Sequence, residues 1–300
     1  MFQGRRAATQ DAIFVMTILV PMILVVALLI YYPAIDTFST SLTNRNLRLN
    51  NRPTEFIQFE NYAYLLQNDE FWEVTGRSFM VVAIVLPMEL VIALSAALLL
   101  NERFYGRAVV RTLAILPWMV PPVVNGFLWG WLLNGEYGAL NGLLYQFGII
   151  REYQYWLQEP STQIIWVAVV QSWTRFAFPT IVLLAGLQGI PDDLYEAARV
   201  DGANSLQRFL RITFPLLLPS FAVALVVEFI ASFQIFDVVW TLTAGGSAGG
   251  SINPFTKTLM LYNYEIVFRD LRIGRGAALS YLILLMSIGV GFIFIRRLYN

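Results

Sequence analysis

The chain has 300 residues, of which 57% are hydrophobic and only 13% charged. A soluble domain carries roughly 25% charged residues to make a polar coat, so lipid is the solvent this composition fits. The formal net charge is zero and there is neither cysteine nor histidine. That excludes a global basic field for nucleic acid, disulfides, thiolate nucleophiles, imidazole bases and thiolate- or imidazole-ligated metals.

Arg5 and Arg6 precede the first apolar run, Ala12–Tyr32. A cleaved signal has a shorter apolar core and a small-residue cleavage site. A membrane span needs roughly 20 residues, so this run is expected to be a retained first span. A polar outer loop with scattered aromatics follows, from Pro33 to Arg77. The next apolar runs are Phe79–Leu100, Val109–Leu133, Ile164–Leu187, Leu216–Val239 and Ala277–Ile295. Span three holds Pro117, Pro121 and Pro122. Proline removes helical hydrogen bonds, and a membrane tolerates this where neighbours or a wet cavity satisfy the freed carbonyls. Span three is therefore expected to kink or break and to lie against the bundle interior.

Lysine and arginine concentrate in short cytoplasmic loops. With the N-terminus inside, the inner segments hold Arg5, Arg6, Arg103, Arg107, Arg111, Arg199, Arg208, Arg211, Arg296 and Arg297. The outer segments hold Arg45, Arg48, Arg52, Arg77, Arg151, Lys257, Arg269, Arg272 and Arg275, spread over a greater length. Basic density favours cytoplasmic termini. The last outer loop begins with Gly245-Gly246-Ser247-Ala248-Gly249-Gly250, which reads either as a flexible linker or as a loop touching a partner or substrate.

Between spans four and five, Pro191 is expected at the first helical position, with Asp192 and Asp193 in the first turn. Leu194, Ala197, Ala198 and Val200 form a small apolar face, and Gly202 ends the short helix. The segment reads as a mere connector or as a surface helix that seats in a partner's groove.

Glu196-Ala197-Ala198, three residues, Gly202, nine residues and Ile212-Thr213-Phe214-Pro215 resembles the signature loop of ABC importer permeases, E-A-A-x3-G-x9-I-x-L-P. Phe214 stands where leucine is usual. Asp201 and Ala203 beside Gly202 resemble the carbohydrate-uptake branch. So do Pro121-Pro122 through Trp129-Gly130-Trp131, and Leu242-Thr243-Ala244-Gly245-Gly246 with the residues up to Gly276-Ala277-Ala278. The Trp-rich stretch resembles the maltose-type first membrane subunit.

The resemblance implies an all-α integral membrane protein of six transmembrane helices with the type I ABC importer permease fold. It implies an N-terminal span and outer loop over 1–76, a permease core over 77–300 and a coupling loop at 189–215. Its implied partners are a second homologous permease subunit, two ATP-binding subunits, an extracytoplasmic sugar-binding protein and membrane lipid, with no nucleic acid. ATP and magnesium are expected on the partner subunits and no cofactor on this chain, which has no G-x-x-x-x-G-K-[ST] run. The implied location is the cell (plasma or inner) membrane, multi-pass. In this reading Glu196, Ala197, Ala198, Asp201 and Gly202 contact the ATPase, and a β-carbon at Gly202 is expected to clash.

Ionisable groups inside a span cost about 2.5–3.5 kcal/mol each and are functional candidates by default. Glu89, Arg175 and Glu228 lie deep in their spans, and Asp237 lies near an outer end. Gln171, Arg175 and Phe178 share a helical face by spacing, as do Glu228, Ser232 and Ile235, and Trp118, Asn125 and Trp129. Carboxylates, amides, a guanidinium and tryptophan suit sugar hydroxyls and the apolar face of a ring. The expected substrate path is Gln171, Arg175, Glu228, Ser232, Asn125, Trp129 and Glu89. The counter-reading is an internal ion pair of Arg175 with Glu89 or Glu228. Competing functions are a permease for a glycerophosphoester, a polar amino acid or another anionic small solute, and a membrane-embedded transferase.

Overall fold

The computed structural model describes residues 16–49, 53–243 and 255–299. Arg5, Arg6, the start of the first apolar run, Arg52 and the glycine-rich stretch 245–250 lie outside the described residues. The chain divides into two units, 1–68 with 263–282 and 69–262 with 283–300. The described residues are helical apart from loops and one isolated bridge, Thr43 to Phe56.

In the first unit, α1 (Met16–Ser41) is followed by a loop and α2 (Glu60–Gln67). Asn61 at the start of α2 is buried and donates to the carbonyls of Ser41 and Thr43, both at 2.8 Å. The Tyr281 hydroxyl donates to the Ala34 carbonyl at 2.6 Å. Gly274 has no room for a β-carbon, which would strike the Thr43 carbonyl oxygen.

In the second unit, α3 (Asp69–Asn101) buries one stripe that includes Val74, Val81, Val85, Glu89, Ala93, Ala97 and Leu100. The three-to-four residue spacing is that of a helix with one packed face. Next come α4 (Arg107–Met119), α5 (Pro122–Leu132), α6 (Ala139–Gln146), α7 (Pro160–Arg175) and α8 (Ala177–Gln188). The short α9 (Asp192–Val200), the long α10 (Ser205–Phe233) and α11 (Asp237–Thr243) follow. The short α12 (Leu259–Tyr264) precedes α13 (Ile273–Tyr299), which runs through both units.

Four helices are long and apolar enough to span a membrane on their own. Among the described residues two bent pairs, α4 with α5 at 96° and α7 with α8 at 51°, also meet that test, which gives up to six spans when each pair is taken as one. Both bends follow from proline. Pro121 drives Val120 out of the helical region, to φ −79° and ψ 127°, and Pro122 restarts the helix at its first turn. Pro179 cannot donate to the Arg175 carbonyl four residues back, and its ring crowds that carbonyl, so the chain turns at Phe176. Elsewhere proline is absorbed without a stop. A widened π-turn at Ala27–Tyr31 precedes Pro33, and another at Phe209–Thr213 precedes Pro215, each ending two residues before the proline. The extra width relieves the ring–carbonyl clash and lets α1 and α10 continue.

Several boundaries differ from the apolar runs. Span five starts at Ser205 and stops at Phe233, not Leu216 to Val239. Its first turns carry Arg208 and Arg211, which hydropathy hides. Span three breaks as expected, but only Pro117, Asn125 and Gly126 in its two helices are buried. Leu113, Leu116, Trp118 and Met119 are exposed, because α4 meets the bundle along one narrow edge. Gly126 is the closest approach, where a β-carbon would strike the Thr241 hydroxyl of α11.

Two apolar cores hold the second unit. One joins Val81, Val85, Val167, Val170, Ile235 and Val239, and the other joins Ala93, Ala97, Leu183, Leu187 and Leu217. On α3, Glu89 lies one turn from each core; on α7–α8, Arg175 lies between them. Glu228 of α10 falls between Leu217 and Ile235. The three ionisable groups therefore occupy a thin layer between two hydrophobic ones.

Candidate functional site

The charged layer is built around one ion pair. Arg175 Nε donates to Glu228 Oε2 at 2.8 Å, and Nη2 reaches Oε1 at 3.4 Å. The Glu228 side chain is wholly buried, whereas the Arg175 side chain keeps 26% of its surface. The pair ties α7 to α10 where Pro179 bends the α7–α8 span. Glu89 lies against both partners. It is fully buried and lies within hydrogen-bonding reach of the Glu228 carboxyl, and no nitrogen or hydroxyl among the described residues donates to it. The Ser172 and Ser232 hydroxyls are also buried without a partner. Burial of so many unsatisfied polar atoms is costly and calls for a reason beyond packing.

The other residues expected on the path divide. Gln171 is buried on α7, one turn before Arg175. Ser232 is buried one turn after Glu228. Asn125 is buried and donates to the Thr174 hydroxyl at 2.7 Å, beside Arg175 in sequence, so its amide locks α5 to α7. Trp129 joins an aromatic group, 6.3 Å from Trp166 and 6.5 Å from Trp173, with Trp156 5.8 Å from Trp166. Two faces expected from spacing do not survive. Trp118 lies on α4, before the 96° bend, and packs on Phe178 instead of sharing a face with Asn125. Phe178 lies beyond the bend after Arg175, so the face it was to share with Gln171 is interrupted. Asp237 is half-buried in the first turn of α11, where a carboxylate faces the positive helix end.

Sequence reasoning passed over Ser172, Thr174 and the tryptophans of α7. Ser172 stands three residues before Arg175, and that polar spacing within an apolar run was the available signal.

The loop between α8 and α10 touches the bundle through Tyr195, which packs against the second core, and is otherwise largely exposed. No residue of α9 is buried, and Val200 is 88% exposed. Pro191 does not open the helix as expected but precedes it, with ψ 134°. Asp192 and Asp193 do fill the first turn and Arg199 the last, matching the helix dipole. The helix ends on Gly202, whose φ is +79°, with Ala203 N–H returning to the Ala198 carbonyl at 2.9 Å. The expected β-carbon clash is absent, since nothing lies within 4 Å of that position. Glycine is required there by backbone conformation, not by crowding. Asn204 and Gln207 then form a capping box that starts α10. The Tyr195 hydroxyl lies 3.0 Å from the Thr213 hydroxyl, tying α9 to α10. A cavity of about 690 Å³ under the loop is lined by Asn101, Glu102, Arg103, Tyr195, Glu196 and Arg208 among others.

The described residues thus form a helical bundle with bent apolar helices, a buried charged layer and an exposed helix–glycine–helix loop. Residues 89–300 match the family described as the binding-protein-dependent transport system inner membrane component. The chain belongs to that family. It is 33% identical to the sulfoquinovosyl glycerol transport system permease protein SmoG of Agrobacterium fabrum, over 95% of this chain and 90% of that one. It is 33% identical to the trehalose/maltose transport system permease protein MalF of Thermococcus litoralis, over 93% and 92%. The trehalose transport system permease protein SugA of Mycobacterium tuberculosis is 30% identical, over 98% and 90%. A solved bacterial ABC transporter involved in import of the acidic polysaccharide alginate shares the fold, with a TM-score of 0.78, 22% identity, and coverage of 98% and 97%. The same fold recurs in a bacterial alginate ABC transporter in complex with alginate pentasaccharide-bound periplasmic protein, with a TM-score of 0.77, 22% identity, and coverage of 96% and 94%.

Proposed function

We propose that this chain is one of two membrane subunits of an ATP-driven importer for a neutral sugar or polyol. An extracytoplasmic binding protein delivers the solute. Two separate subunits hydrolyse ATP with magnesium, and this chain binds no cofactor of its own. The observation that carries the reading is the uncovered α9 helix with its left-handed Gly202 turn. A rigid, uncovered helix tied to a span by Tyr195 and Thr213 transmits displacement, and a floppy loop absorbs it. Glu196, Ala197, Ala198, Asp201 and Gly202 form the contact with an ATP-hydrolysing subunit.

The substrate path runs through the charged layer, past Gln171, Arg175, Glu228, Ser232 and Glu89, with Asn125 and Trp129 nearby. Solute hydroxyls offer partners to the buried Ser172 and Ser232 hydroxyls, which have none among the described residues. The sugars in the relatives' names support a carbohydrate. Among them, the sulfoquinovosyl and alginate systems point to anionic sugars, but Arg175 is already held by Glu228 and Glu89 adds a second carboxyl. The layer has no surplus positive charge for an anion, which favours a neutral solute.

In reconstituted vesicles with the assembled transporter, ATP-dependent uptake is expected for neutral disaccharides or polyols and not for uronates or glycerophosphoesters. Gln171→Trp should cut that uptake at least about tenfold by filling the path, as a misplaced contact at a binding site does, while the subunits still co-purify. Normal uptake by this variant removes Gln171 from the path.

The proposed orientation has both termini in the cytoplasm. Because the chain lacks cysteine, Gln207→Cys provides a clean reporter. It should resist an impermeant thiol reagent in intact cells and react once the membrane is opened. Labelling from outside reverses the topology.

A further inference from the structure

The orientation proposed above leaves a group of charges without a role. The loop after α1 and the turn before α13 then lie outside, where basic residues are disfavoured, yet they hold Arg45, Arg272 and Arg275. In the same unit, Arg269 has a carboxylate, Glu265, at 3.8 Å. Arg275 lies over the Tyr64 ring, 3.6 Å from its centroid. Arg45 and Arg272 have no ion pair among the described residues. All three line one cavity of about 390 Å³, together with Asn44, Asn46 and Glu60.

The cavity is held in shape. Gly274 N–H donates to the Arg45 carbonyl at 3.0 Å, and Leu47 N–H to the Leu271 carbonyl at 2.9 Å. Asn61 clamps the wall from below through Ser41 and Thr43. Gln58 and Leu271 are the non-glycine residues with left-handed backbone among the described residues, at φ 55° and 59°. Each adjoins a wall residue, Ile57 and Arg272. Such conformations persist only where the surroundings hold them, and they gather at sites that bind or switch.

We propose that this cavity receives a carboxylate side chain of the soluble protein that delivers the solute. The proposal rests on the importer reading given above. Guanidinium groups match a carboxylate with paired, directional hydrogen bonds, and the Asn46 amide, whose oxygen alone is engaged, by Arg48 N–H, adds a further donor. Among the described residues, Glu60 on the wall and Glu55, held against wall residue Asn44 at 3.4 Å, stand against three arginines and leave a positive excess. A lipid phosphate is the competing occupant. Among the described residues Ile57 is the one apolar residue of the wall, which gives acyl chains little to lie against beside the charge.

The test uses the assembled transporter in phosphatidylcholine nanodiscs, titrated with the sugar-loaded binding protein encoded with this permease, at low and high salt. The wild type should bind more weakly in high salt, as steered charged interfaces do. The double variant R45E/R272E should weaken binding at least about tenfold at low salt and flatten the salt dependence. R45Q/R272Q should show the same sign at smaller size, and it keeps the test valid if charge reversal impairs assembly. R45K/R272K should retain the salt dependence. Unchanged affinity and slope in the first two variants overturn the proposal. It is equally overturned if they lose bound phosphatidylglycerol in native mass spectrometry while affinity for the binding protein holds. If the wild-type transporter does not bind that protein at any salt concentration, the importer reading itself fails.

Discussion

Arg175→Leu is expected to cost more than any other single change in the charged layer. It leaves Glu228 wholly buried and unpaired, with Glu89 against it. Removing one partner of a buried ion pair typically costs about 3–5 kcal/mol, because the remaining charge has lost its compensation. Monodisperse yield and the thermal midpoint of the purified subunit should both fall sharply. Glu228→Leu should be milder, since the Arg175 side chain keeps 26% of its surface and finds some screening. Arg175→Lys keeps the charge but gives up the two-nitrogen grip on Glu228, and should fall between. The double variant Arg175→Leu with Glu228→Leu separates the two roles of the pair. It should recover most of the yield, because a matched apolar pair is tolerated where a lone charge is not. It should not recover ATP-dependent uptake. Full uptake by the double variant would make the pair a packing device and remove it from the path.

Gly202→Val is expected to uncouple transport. The residue sits at φ +79°, and a β-branched side chain is strained there whatever space surrounds it. The cost is about 1–2 kcal/mol of backbone energy for an ordinary L-residue, enough to redirect the chain between α9 and α10. Uptake should fall at least about tenfold and co-purification of the ATPase subunits should weaken, by the loss of one well-placed helix contact. Sugar affinity of the isolated binding protein should not move. Gly202→Asn should stay close to wild type, because asparagine tolerates the left-handed region and nothing lies within 4 Å of its β-carbon. Equal impairment by Val and Asn would show that volume matters here and backbone conformation does not. Wild-type uptake and attachment in Gly202→Val would take this loop out of the mechanism.

The comparison of valine with asparagine arises only from the three-dimensional arrangement. The motif marks Gly202 as special, and a steric clash is the natural guess from sequence. The φ of +79° and the empty space around the residue make the requirement torsional instead. The charged layer repeats the pattern. Glu89, Arg175 and Glu228 stand out in apolar runs because charge in lipid is costly, so their importance is legible in one dimension. Which carboxylate holds the guanidinium is not. Glu89 and Glu228 are equal candidates by spacing, and the choice of Glu228 depends on how α3, α7 and α10 pack.

Periodicity assumes a straight helix, and the prolines at 121 and 179 break that assumption. Trp118 and Asn125 are seven residues apart and would share a face of an unbroken helix; the 96° bend separates them. The start of span five at Ser205 was hidden because its first turns are polar, and hydropathy registers only the lipid-facing part of a longer helix.

The sequence alone therefore determined the lipid-embedded all-helical class, the number of apolar runs, the signature loop and the ionisable residues inside the spans. These follow from transfer energies and short-range spacing, which are properties of residues in order. The tertiary structure decided the partner of Arg175, the placing of Glu89 against that pair, the two bends, the torsional need for Gly202 and the gathering of Arg45, Arg272 and Arg275 around one cavity. Those depend on contacts between segments distant in the chain, where several pairings have similar local energy and packing selects among them.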